Sequence, residues 1–84
     1  MADTPFLRVL LFARYADLLG TDLLRLPVPE PPTVARVIEL LRQRPGGAQL
    51  PAMPLVAVNA RQARGSDPVQ AGDEVAVLPP MAGG

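Results

Sequence analysis

The sequence ends in Gly83-Gly84, and its chemistry has to be sought there, because the rest of the chain offers few reactive groups. It contains no His, Cys, Lys or Trp. Without His or Cys there is no structural zinc site and no Cys–His nucleophile, and without Lys there is no Schiff base. The hydroxyls of Thr4, Tyr15, Thr21, Thr33 and Ser66 stand in no nucleophile-elbow pattern. Asp17, Asp22, Asp67 and Asp73 are scattered and read most simply as helix, turn and surface residues. What remains is the terminal carboxylate of Gly84, whose pKa of about 3.5 leaves it ionised at neutral pH. A carboxylate anion is a poor electrophile, so acyl chemistry at this end requires activation by another protein.

The residues leading to the terminus suit that use. Two final glycines arise by chance with a probability of about 0.005 at ~7% glycine usage. Pro79-Pro80 precede them, and proline cannot donate to a sheet ladder, so any strand ends there. Proline pairs favour an extended helix rising about 3.1 Å per residue, so the segment 79–84 reaches roughly 19 Å. The prolines lower the entropy lost in holding that reach. Glycine lacks a Cβ, so Gly83 and Gly84 can thread a narrow channel that a larger side chain would block. The alternative is an ordinary loose chain end.

The elements that carry this tail follow from pattern. With 84 residues the chain is one domain, divided here into a folded body, 1–78, and the extended tail, 79–84. Phe6 to Phe12 is a short apolar run that reads as a buried strand. Ala13 to Leu19 is helix-prone, and Gly20 can cap it. Asp22 to Val28 reads as a second strand, with Pro27 at a sheet edge or strand end. Thr33 is a good N-cap for a helix from Val34 to about Arg44, with Val34, Val37, Ile38 and Leu41 on one face. Arg42 and Arg44 complement the dipole of its last turn, and Pro45-Gly46-Gly47 stops it. Leu55 to Val58 is a third strand, Asn59-Ala60 can form a tight turn, and Glu74 to Leu78 is a last strand after the turn signals at Asp67-Pro68 and Ala71-Gly72-Asp73. Strands around one main helix predict an α+β domain with a mixed sheet covering that helix.

Composition narrows the partners. The formal charge is zero, and the basic residues (Arg8, Arg14, Arg25, Arg36, Arg42, Arg44, Arg61 and Arg64) are dispersed, so no nucleic-acid or anionic-membrane surface is expected. The hydrophobic share of 49% suffices for a core without disulfides or metals. No apolar run approaches the length of a bilayer span, and no signal-peptide pattern opens the chain, so the expected location is the cytoplasm.

Four stretches together resemble one family. They are Leu10–Asp22 (LLFARYADLLGTD), Pro32-Thr33-Val34, Ala57-Val58-Asn59 and the closing Gly72–Gly84 (GDEVAVLPPMAGG). They look like the small subunit of molybdopterin synthase, MoaD, within the MoaD/ThiS sulfur carriers, and the likeness covers nearly the whole chain. The thiamin carriers of ThiS type share the GD and GG signals but usually lack the F-A-x-x-x-x-L-x-G segment and are shorter. The resemblance implies a β-grasp, ubiquitin-like fold with a flexible Gly-Gly tail. It implies that an E1-like, MoeB-type enzyme uses ATP to adenylate Gly84, and that a persulfide donor then turns it into a thiocarboxylate. The tail would enter the active site of a large, MoaE-like subunit, in a heterotetramer. There the sulfur would pass to cyclic pyranopterin monophosphate, and two transfers would form the molybdopterin dithiolene. No permanently bound cofactor is implied. The chain would be the sulfur-donating, non-catalytic subunit of a sulfurtransferase.

A docking face can be phased from charge. If Arg8 and Glu74 face solvent, Leu7, Val9, Leu11, Val75 and Val77 face the helix. Leu10, Phe12, Ala76 and Leu78 then share the outer face beside the tail, and an exposed apolar patch of this kind marks a partner site. Leu10, Phe12, Leu78, Pro79, Pro80, Met81, Ala82 and Gly83 are therefore the candidate partner-binding residues, with Gly84 as the reacting one. The alternative is that loops or strand ends cover them. Other functional readings are a carrier serving another acceptor such as the thiamin thiazole or tRNA, a protein modifier, and an interaction module without tail chemistry.

Overall fold

The computed structural model describes residues 5–80, so the expectations for Met81, Ala82, Gly83 and Gly84 lie outside the described residues. Its elements are β1 (Phe6–Leu11), α1 (Arg14–Leu19), β2 (Leu23–Pro27), α2 (Val34–Arg42), a short 3-10 turn (Gly47–Gln49), β3 (Leu55–Val58), β4 (Arg61–Ala63) and β5 (Glu74–Leu78). The sheet has five strands in the order β2-β1-β5-β3-β4, with β1 and β5 parallel and the other neighbours antiparallel. It is the expected mixed sheet on one main helix.

The apolar period of α2 explains how the layers hold together. Val34, Val37, Ile38 and Leu41 are buried and meet Leu7, Val9, Leu11, Val56, Val75 and Val77 from the sheet in one core. The Thr33 hydroxyl caps the helix, accepting the Arg36 N–H at 3.2 Å. The helix stops at Arg42, two residues before the expected end at Arg44. The glycines beyond are required by close backbone approach: a Cβ on Gly46 would strike the Leu18 carbonyl, and one on Gly47 the Leu41 carbonyl. The chain there threads between α1 and α2.

Three strand expectations change, and for β2 the change is one residue lost at each end of the expected 22–28. β1 ends at Leu11, which leaves Phe12 just beyond it. β4 was not expected, because Arg61-Gln62-Ala63 lacks alternating hydrophobicity and supplies no buried side chain. The turn before it decides the pairing. Asn59 (φ 51°) and Ala60 (φ 69°) are both left-handed, as a two-residue hairpin of right-handed twist demands. Pro27 ends β2 on the sheet's outer edge, where its missing N–H breaks no ladder bond.

Candidate functional site

Arg8 and Glu74 lie opposite each other in the parallel register of β1 and β5, with a 3.5 Å ion pair between their side chains. That fixes the phase of both strands. Leu7, Val9 and Leu11 are at most 2% exposed on the helix side. On the other side the sheet divides by polarity along its length. At one end Arg25 sits over the Phe6 ring, 4.5 Å from its centroid, near Arg8 and Glu74. At the opposite end Leu23 pairs with Leu10, Leu10 with Ala76 and Ala76 with Ala57, and one step further Leu78 pairs with Leu55.

This second end is apolar and open. Phe12 is 42% exposed, Leu23 49% and Leu55 40%, while Leu10, Ala76 and Leu78 are half-buried. Leu10 and Leu78 thus lie on one face of the sheet, and Phe12, beyond the end of β1, borders a shallow depression with Leu10 and Leu23. Leu23 and Leu55 enlarge that face and were missed. Leu23 was readable from alternation in β2, where Leu24 and Leu26 face the core. Leu55 needed the antiparallel pairing of β3 with β5, which no local pattern gives. Leu78 is the last residue of β5, so the chain leaves the sheet from within this patch. Pro79 is half-buried, and Pro80 borders a shallow notch formed with Arg14, Tyr15, Leu18, Gln49 and Pro51.

A strained corner sits beside Phe12. The Tyr15 N–H donates to the Phe12 carbonyl at 3.0 Å, closing a β-turn, and Ala13 occupies its second position at φ 53° and ψ −128°. A residue with a Cβ held in so sparsely populated a region costs on the order of 1–3 kcal/mol. The corner is held from both sides. The Leu11 N–H donates to the Asp22 carbonyl at 2.9 Å, and Tyr15 is buried in the core.

Among the described residues, the four aspartates singled out from the sequence have structural or exposed settings. Asp73 is 7% exposed, and its two oxygens accept from Asn59 Nδ2 and the Gln70 N–H, both at 2.9 Å. Asn59 in turn accepts the Glu74 N–H through Oδ1 at 3.0 Å. This network ties the β3–β4 turn to the start of β5, so Asp73 is a buried clamp rather than a simple turn former. Asp67 accepts the Arg64 N–H at 2.8 Å within its own turn, and Asp17 and Asp22 are exposed. Among the described residues no three His, Cys, Asp or Glu side chains cluster as metal ligands, and no helix is long and apolar enough to cross a membrane.

Residues 9–84 match the ThiS family, a match that runs through to the terminal glycine. The chain belongs to this family of sulfur carriers. Over 79 residues the ThiS-family chain is 34% identical to the molybdopterin synthase sulfur carrier subunit of Arabidopsis thaliana, covering 93% of this chain and 82% of that protein. It is 26% identical to SAMP1 of Haloferax volcanii, with a TM-score of 0.77 over 94% of this chain and 99% of that one. It also superposes with a TM-score of 0.69 on a chain from the complex of subunits 1 and 2 of molybdopterin-converting factor from Helicobacter pylori, over 94% of this chain and 99% of that one. At 18% identity that last likeness speaks for the fold alone. The fold is the ubiquitin-like β-grasp. In this sulfur carrier, the open apolar end of the sheet and the root of the Gly-Gly tail occupy the same place.

Proposed function

We propose that this ThiS-family chain is the sulfur-carrying small subunit of a molybdopterin synthase and that Gly84 is its reacting residue. The observation that carries the reading is the 34% identity to a molybdopterin synthase sulfur carrier, joined to a family match that includes Gly84. The carboxylate attacks ATP in an E1-like enzyme, which releases pyrophosphate and leaves a glycyl adenylate. A persulfide sulfur displaces AMP, and a thiol cleaves the sulfur–sulfur bond of the resulting acyl disulfide, freeing the thiocarboxylate. Its soft, anionic sulfur is the nucleophile, as in thiolates. It attacks a carbon of cyclic pyranopterin monophosphate as a carbon–oxygen bond at that carbon breaks and the oxygen departs as water or on phosphate, and water then hydrolyses the thioester, which leaves sulfur on the pterin and regenerates the Gly84 carboxylate. ATP is consumed by the activating enzyme, and no cofactor resides on the chain. The setting is the cytoplasm.

Docking follows from the same surface. The apolar end of the sheet (Leu10, Phe12, Leu78) with Pro79 and Pro80 seats on the large subunit, and Met81 to Gly84 enter its active site. The catalytic side chains belong to the partners. The 34% identity to a subunit of molybdopterin synthase supports a large partner subunit, with which this chain would form a heterotetramer. The test is intact-mass analysis after incubation with the activating enzyme, ATP and a persulfide donor. A carrier gains the mass difference between oxygen and sulfur at Gly84, and the loaded form converts the pterin precursor when the large subunit is added. No mass gain would refute the carrier chemistry.

A second reading keeps the activated tail and changes the acceptor. The likeness to SAMP1, a small archaeal modifier protein, favours a conjugating role. Sulfur found on the thiamin thiazole or tRNA, or the chain found joined to protein lysines, with no product on the pterin precursor, would decide for it. Having no lysine, the chain cannot extend into a polymer through its own side chains.

A further inference from the structure

The fold accounts for the strained turn at position 13 but not for the alanine that occupies it. Ala13 stands at the second position of the Phe12–Tyr15 turn with φ 53° and ψ −128°, a corner that glycine occupies freely. The chain uses glycine for positive φ at Gly20, Gly46 and Gly72, yet here it carries a methyl group. That methyl serves no internal packing, since Ala13 is exposed and lies outside the core cluster. It borders a shallow depression formed with Leu10, Phe12, Ala16, Asp22 and Leu23, continuous with the apolar end of the sheet.

We propose that Ala13 is a docking residue: its methyl, held outward by a strained turn, is buried with the Phe12 ring against the large synthase subunit. The strained turn also fixes the direction in which Phe12 leaves β1. Ala13 thereby extends the interface from the sheet face onto the start of α1 and adds to its specificity. The inference rests on the docking reading above, and Ala60 supplies an internal control. Ala60 is also left-handed (φ 69°), but it sits in the β3–β4 turn, at the end of the sheet away from Leu78.

Four variants, Ala13→Gly, Ala13→Ser, Ala60→Gly and Phe12→Ala, are titrated calorimetrically against the large subunit, and the two glycine variants are also melted. Relief of strain raises the melting temperature of both Ala13→Gly and Ala60→Gly by about 4–8 °C. Of the two glycine variants, Ala13→Gly alone binds more weakly, by about four-fold, the effect of one buried methyl group. Ala13→Ser keeps a Cβ but sets a hydroxyl in the same buried apolar contact, and it also binds more weakly than the unaltered chain. If Ala13→Gly binds with full affinity while Phe12→Ala is weakened, the role of Ala13 is wrong and the docking face stands. If both bind with full affinity, the docking face fails as well. A fall in the melting temperature of Ala13→Gly would also overturn the proposal, because the methyl would then be stabilising the fold.

Discussion

Replacing Phe12 with Ala measures how much of the partner affinity is carried by the apolar end of the sheet. Phe12 is 42% exposed in the isolated chain. A phenylalanine presents on the order of 200 Å², so roughly 85 Å² of it remains for a partner to cover. At about 25 cal/mol per Å² that area contributes about 2 kcal/mol, or about thirty-fold in Kd. The ring stands beyond the end of β1 and outside the core cluster, so the main effect falls on binding. The part of the ring that the fold already covers belongs to stability. Thermal melts therefore accompany the calorimetric titration with the large subunit, and the titration is run well below the variant's melting temperature. A folded Phe12→Ala chain with unchanged Kd would refute the assignment of this face, whatever the tail does.

Three further outcomes are expected. Asn59→Ala removes the side-chain bonds to Asp73 and the Glu74 N–H and places Ala at φ 51°; it should lose about 2–4 kcal/mol in urea unfolding, with thiocarboxylate formation preserved below the melting temperature. Thr33→Ala deletes the cap of α2 and should lower stability by about 1 kcal/mol in the same assay, with no effect on partner affinity. A chain extended by one residue beyond Gly84 should accept no sulfur from the activating enzyme and donor; mass analysis showing a loaded, untrimmed extension would contradict the tail chemistry.

Much of the fold was readable because local pattern and tertiary context agree over most of the chain. The helical spacing of Val34, Val37, Ile38 and Leu41 needed only a sheet to pack on, and all four are buried. The opposite charges of Arg8 and Glu74 phased two strands that lie side by side. Where local signal was weak, the reading fell short. Arg61-Gln62-Ala63 carries no hydrophobic period because an edge strand with little to bury needs none, and only its hydrogen bonds to β3 make it a strand. Asp73 looked like a turn residue because burial is invisible in sequence, whereas in the fold Asn59 and the Gln70 N–H compensate its desolvation.

By itself the sequence determined which reactive side chains this protein lacks. With no His, Cys or Lys, and with Pro79-Pro80 ahead of Gly83-Gly84, it made the Gly84 carboxylate the expected group to be activated. That follows from residue types alone, because side-chain chemistry does not depend on the fold. Only the tertiary structure decided what surrounds the root of that tail. Leu10, Leu23, Leu55 and Leu78 sit far apart in sequence, and strand order and register bring them to one open face. The strain at Ala13 likewise arises where β1, α1 and the end of the loop before β2 each fix one side of a single turn. Both are consequences of long-range pairing, which no stretch of sequence expresses locally.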